Sequence, residues 1–373
     1  MQHTHSDRLE RWLGKEAVAQ MSRSMVNWYG PPIAIAGVPG EVYAARGGDF
    51  VGNINAGHEA SKHDRLADIV RREQRRQIAA MARGSRQTGA FGSLDAIVAA
   101  ATAGKYCNCN FNKTGVAANA IGNAMDMWTR AGYPAAGAAG GASPGGTNWT
   151  SASTGAMPFT TPATADSLQP MSGWSSASVI NNTLMLYDRL HSVVKTMAST
   201  ATQAVSGTPA RYQSVTPGNV QSAEGNFYFP SNPTTVLPAT AHNWTVCQYT
   251  NSAGTATRSS PSIAGVSACV VGGVDLVVHN WCMPLQGGDK GVQKVTQLQC
   301  SASVATGTID FTVGHPLVIM PCPVAVLVCQ HDWVYTAFRM VKILDNACLA
   351  LLEIAKPATT ATTYQGGIYS VAE

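Results

Sequence analysis

The chain has 373 residues and a formal net charge of +4, and only 12% of its residues are charged, about half the ~25% of an ordinary soluble domain. A hydrophobic share of 45% with so little net charge excludes a disordered tail, and the shortage of Glu and Lys excludes a long coiled coil. The best apolar run, Pro316–Cys329, is broken by Pro321 and Pro323 and falls short of the ~20 residues a helical membrane span needs, so no membrane partner is expected.

Met1–Glu16 is polar and lacks the apolar core of a secretory signal. Leu9, Trp12, Leu13, Val18, Met21 and Met25 predict an amphipathic helix over 1–29, stopped by Pro31 and Pro32. Residues 30–58 are rich in Gly and Pro and read as an extended arm. A second helix is predicted over 59–83, with a narrow apolar stripe (Leu66, Ile69, Val70, Ile78, Met81) and a basic face. Arg71, Arg72, Arg75 and Arg76 on that face are the candidates for contact with an anionic partner such as nucleic acid. Four acids in the same segment (Glu59, Asp64, Asp68, Glu73) favour a solvated face instead. A short helix is predicted at Leu94–Thr102.

Residues 104–160 are of low complexity, nearly all Ala, Gly, Ser, Thr and Pro from 131 to 155. Such a stretch builds no core alone and is expected to lie over other surfaces. Residues 115–131 read as weakly helical around Met125 and Trp128. From about 180 the pattern changes to short β runs at 184–190, 244–250, 274–281, 292–300, 308–313, 317–328 and 333–340, punctuated by glycines. The segment 347–355 fits a strand or a short helix.

Chemistry-bearing motifs are sparse. Gly141–Gly145 matches G-x-S-x-G around Ser143, but the motif needs a strand before it and a helix after it, and neither is predicted. There is no Walker A and no GxGxxG opening a βαβ unit, and the nine histidines are scattered. The few carboxylates of the β half give little material for a catalytic pair. No cofactor, no metal and no enzymatic activity are expected. Nine cysteines without CxxC spacing read as buried small residues or as cross-links in a particle outside the reducing cell. Cys107 and Cys109, in a polar stretch, are the candidates for inter-chain disulfides. Trp244, Trp281 and Trp333 are candidates for an aromatic binding cluster, although their predicted strands favour the core.

Five segments carry a resemblance. Leu186–Leu190 (LYDRL), Tyr249–Thr255 (YTNSAGT) with Arg258, Leu285–Val292 (LQGGDKGV), Gly314–Leu317 (GHPL) and Asp345–Leu349 (DNACL) resemble patterns in a group of tailed-bacteriophage virion structural proteins. The resemblance covers about 160–373 and leaves the first 110 residues out. It implies a virion location and a minor capsid or decoration protein that stabilises the shell through inter-subunit contacts. Its partners would be other virion proteins, including the major capsid protein, and further copies of itself in a symmetric oligomer. The alternatives are a major capsid protein, a neck, collar or tail component, or a receptor- or carbohydrate-binding virion module.

The expected architecture is mainly β. A C-terminal antiparallel β-sandwich of jelly-roll type (165–373) follows a Gly/Ala/Ser/Thr-rich connector (111–164) and an N-terminal region of helices and extended arm (1–110).

Overall fold

The structure, a computed structural model, describes residues 94–160, 168–333, 341–356 and 358–372. All fall within one unit, Met81–Glu373. The helices predicted at 1–29 and 59–83, the extended arm between them, and Arg71, Arg72, Arg75 and Arg76 lie outside the described residues.

Helix α1 (Leu94–Thr102) has the predicted bounds and buries Ile97 against Val371. Among the described residues seventeen strands follow: β1 (Tyr106–Thr114), β2 (Met125–Asp126), β3 (Gly132–Tyr133), β4 (Gly141–Ala142), β5 (Thr147–Asn148), β6 (Gln169–Ala177), β7 (Asn182–Thr196), β8 (Gln203–Ala204), β9 (Phe227–Ser231), β10 (Asn243–Asn251), β11 (Arg258–Ser259), β12 (Ile263–Ala264), β13 (Val292–Cys300), β14 (Thr308–Cys322), β15 (Cys329–Asp332), β16 (Leu349–Glu353) and β17 (Thr363–Val371). The fold is mainly β, as expected. Its strands form three sheets, antiparallel except for the short β4–β7 pair. One has the order β15-β6-β17-β1-β3. A second runs β11-β10-β13-β8, with β12 on β10. The seven-stranded sheet runs β2-β16-β7-β14-β9, with β4 and β5 also on β7. Residues of all three pack into one hydrophobic core that includes Phe111, Trp128, Tyr187, Phe229, Trp244, Leu298 and Phe311.

Several local expectations change. The runs 308–313 and 317–328 are one strand, β14, followed by a loop. Residues 274–281 form no strand: the Asp275 carboxylate takes hydrogen bonds from Val266 N–H (2.6 Å) and His242 Nε2 (2.8 Å), which hold an irregular turn. The ambiguous 347–355 resolves as strand β16. Around Met125 and Trp128 there is a 3₁₀ turn, Met127–Thr129, capped by the Asp126 side chain, in place of a helix.

The described part of the stretch expected as a connector, 111–160, belongs to the same unit as the later strands. β1 lies beside β17 along its whole length, and Trp128 and Trp149 are core residues. Its small residues have a packing reason. A Cβ on Gly137 would stand 2.0 Å from the Trp128 ring, and one on Gly140 would stand 2.8 Å from Ser192 Cβ. The segment lies this close to β7 and Trp128 only because those side chains are missing.

The structure places Cys107 and Cys109, the candidates for inter-chain disulfides, inside the body of the fold. Both sit on the inward face of β1, alternating with exposed Tyr106, Asn108 and Asn110, and Cys109 is 1% exposed. The Cys109 thiol hydrogen-bonds Cys107, which lowers the Cys107 pKa and raises that of Cys109. All nine cysteines are free, and only Cys282 and Cys329 are partly exposed. Native alkylation is therefore expected to reach Cys282 and Cys329 first, and the protein should run as a monomer on a denaturing gel with or without reductant. A reductant-sensitive dimer would contradict this.

The segments that carry the resemblance are scaffold. In β7, Arg189 Nη1 donates to Asp126 Oδ2 (2.7 Å), and the Tyr187 hydroxyl donates to Asp126 Oδ1 (3.1 Å). Ser231 Oγ also donates to Asp126 Oδ2 (3.1 Å). Asp188 takes a bidentate pair from Arg211 (2.8 and 2.6 Å) and the Cys348 N–H (2.8 Å), so LYDRL and DNACL meet at one carboxylate. A second junction forms at Asp289 of LQGGDKGV. It accepts from Tyr249 Oη (2.6 Å), Asn251 Nδ2 (2.7 Å) and Arg258 Nε (2.9 Å). Burial works to raise the Asp289 pKa, but these three donors outweigh it and hold the pKa below the ordinary value. Asn251 Oδ1 in turn takes the N–H groups of Ala253 and Thr255, shaping the turn.

Candidate interaction surfaces

With the Asp126, Asp188 and Asp289 carboxylates committed to scaffold contacts, candidate functional residues lie on the surface. Two adjoining features stand out, and both belong to the region around β6, β15 and β17.

The first is an apolar ridge, Pro323–Val328, between β14 and β15. Val326 is 79% exposed, Leu327 61% and Val328 60%, and Val324 is exposed beside them. Ile180 joins the ridge, because Asn181 N–H donates to the Pro323 carbonyl (3.4 Å). Val326 sits at φ 61°, a region a β-branched residue enters only under strain. The ridge is anchored, since Val326 N–H donates to the Ala177 carbonyl (2.8 Å). Contiguous exposed apolar groups of this kind mark interaction sites.

The second is a shallow groove of about 650 Å³ beside the ridge. It is lined by Ser172, Trp174, Gln330, His331, Asp332 and Tyr369, with Val328 at its margin. His331 turns inward, with its Nε2 2.7 Å from Ser175 Oγ, which is itself 3.1 Å from Cys322 Sγ. Burial lowers the His331 pKa. Ser175 is fully buried behind the ring, so this contact positions His331 and offers no exposed nucleophile.

The residues singled out from sequence do not converge here. Ser143 donates to the Ala204 carbonyl (2.7 Å), between two-residue strands with no helix after it. Trp244 and Trp333 are buried, and Trp281 packs against Phe227. Among the described residues no group of three metal-ligating side chains comes together. Sequence reasoning missed Trp174 and Tyr369, because β6 and β17 carry Gly, Ser and Gln in place of an apolar alternation.

No family model and no curated protein matches the chain. Among solved structures it aligns with the infectious bursal disease virus Gt strain at 10% identity and a TM-score of 0.13, over 72% of this chain and 81% of that one. The VP2 subviral particle of infectious bursal disease virus aligns at 11% identity, with the same score and coverage. A TM-score of 0.13 carries no inference about this chain.

Proposed function

We propose that the chain is a structural subunit of a tailed-phage particle, a minor capsid or decoration protein that acts through contacts with copies of itself and with the major capsid protein. The strained, exposed ridge Pro323–Val328 is the observation that carries this reading. Burying such a ridge in an assembly removes apolar surface from water at about 25 cal/mol per Å². The sequence resemblance supplies the particle type, and the low charge suits a surface covered largely by other subunits. We read the protein as non-enzymatic, because the buried carboxylates Asp126, Asp188 and Asp310 lie beside arginine partners and none of the three lines the groove next to the ridge.

Val326→Asp with Leu327→Asp is expected to abolish self-association in sedimentation velocity, to reduce copies per particle at least about tenfold, and to leave the unfolding midpoint unchanged. Wild-type protein that stays monomeric at high concentration, with the double variant incorporated into particles as well as wild type, would refute the reading. Hundreds of copies per particle would place the protein on the shell, and about a dozen at the neck.

A further inference from the structure

The outward face of the β15-β6-β17-β1 strands is a grid of uncharged polar and aromatic side chains. Register fixes its rows. Asp332, Ser172, Tyr369 and Asn108 lie side by side across four strands, and Gln330, Trp174, Gly367 and Asn110 form the next row. Ser176, Gln365, Asn112 and Tyr133 form a third row, across β6, β17, β1 and β3. These twelve positions hold one carboxylate and no cation.

Gly367 explains how the indole is seated. A Cβ at that position would stand 2.7 Å from Trp174 Nε1 and 2.9 Å from Asn110 Oδ1. The missing side chain therefore lets Trp174 and Asn110 close over the bare backbone. Tyr369, in the neighbouring row, is 41% exposed. Among the described residues the amides of Asn108, Asn110, Asn112, Gln330 and Gln365 make no side-chain hydrogen bond, so their donors and acceptors are unspent.

We infer that this face binds an uncharged oligosaccharide, with a pyranose ring seated against Trp174 in the groove. A pyranose presents an apolar C–H face and a rim of hydroxyls that both donate and accept. An indole meets the first, and primary amides, which also do both, meet the second. Strand spacing of ~4.8 Å makes four strands roughly 14 Å wide, room for two or three rings. A nucleic acid or an anionic membrane surface would call for cations that the grid lacks. A protein partner would call for an apolar centre like the neighbouring ridge. The inference does not depend on the assembly reading, because the ridge and the grid carry separate residues.

The test is titration of the full chain, followed by tryptophan fluorescence and saturation-transfer NMR. The probes are tetrasaccharides of glucose (α- and β-linked), N-acetylglucosamine and galacturonic acid. At least one neutral tetramer is expected to bind independently of salt, and the uronic acid tetramer is not. Trp174→Ala should weaken binding at least about tenfold. Tyr369→Ala, which removes an exposed ring and no internal hydrogen bond, should weaken it with the near-ultraviolet dichroism unchanged. The inference is overturned if no neutral tetramer binds, if the acidic one binds best with salt dependence, or if both variants bind like wild type. It is also overturned if the face proves occupied by a protein partner in the particle. Loss of assembly in the ridge variant with saccharide binding retained would separate the two functions.

Discussion

Arg189→Met is expected to cost about 3–5 kcal/mol of unfolding free energy, the range for removing one partner of a buried ion pair. Arg189 is fully buried in the centre of the seven-stranded sheet. It faces Asp126 at 2.7 Å and Asp310 at 3.7 Å, both also buried. The first contact is a charge-assisted hydrogen bond; the second, at that distance, is electrostatic only. Its guanidinium also lies 4.9 Å from the Trp128 ring and 5.7 Å from Trp149. Methionine keeps much of the packing volume but leaves two carboxylates without their cation. Adding Asp126→Asn and Asp310→Asn to Arg189→Met should recover most of the loss, because no unpaired charge is then left in the core. Denaturant titration of the single and triple variants reads both effects. A single-variant loss under about 1 kcal/mol would show that the arginine is not what keeps these carboxylates in the core.

Asp310 gives the second large effect, in pH dependence. Burial raises its pKa from 3.8 to about 6, against the opposing pull of Arg189 and the Gly140 N–H. A carboxyl that binds its proton more tightly when folded makes the native state take up protons between those two values. Stability therefore falls as pH rises from about 4 to 6, by an amount on the order of 3 kcal/mol. Asp310→Asn removes this term and still offers an acceptor to Gly140. Unfolding free energies of wild type and variant should thus diverge in the variant's favour as pH rises through that window, then run parallel above it. Identical pH profiles would dismiss the assignment. In an Arg189→Met background the window should extend upward, since the charge that opposes the shift is gone.

How much of this was legible in the sequence depended on side-chain chemistry. Strands β10 and β13 and the helix Leu94–Thr102 announce themselves through their Val, Trp, Leu and Ile content, although Val292, Val295 and Leu298 of β13 fall three apart. β1 does not. Its alternation is Cys107, Cys109, Phe111 and Lys113 inward against Tyr106, Asn108, Asn110 and Asn112 outward, and a strand whose inner face has Phe111 as its one large apolar residue gives no clear apolar alternation. The buried Lys113 is accommodated by donating to the carbonyls of Arg130 and Ala135, partners no local pattern foretells. The saccharide face is illegible for a related reason. Its rows join residues from Asn108 to Tyr369, and only strand register makes them neighbours. The segments that carry the resemblance were visible as patterns, but their chemistry was not. Asp188 meets Cys348, and Asp289 meets Tyr249, across long separations in sequence.

The pairing of β1 with β17 also sets a timetable for synthesis. Thr114 and Thr363, hydrogen-bonded side by side, are 249 positions apart. At roughly 5–20 residues per second, a ribosome makes β17 about 10–50 s after β1. Throughout that interval β1 has neither β17 nor, through it, β6, so the sheet that carries the groove is assembled late. An early strand that waits this long is exposed to pairing with other nascent chains. The asparagines at every second position of β1 keep one of its faces hydrophilic during the wait, and the same residues later furnish the polar rows of the finished surface.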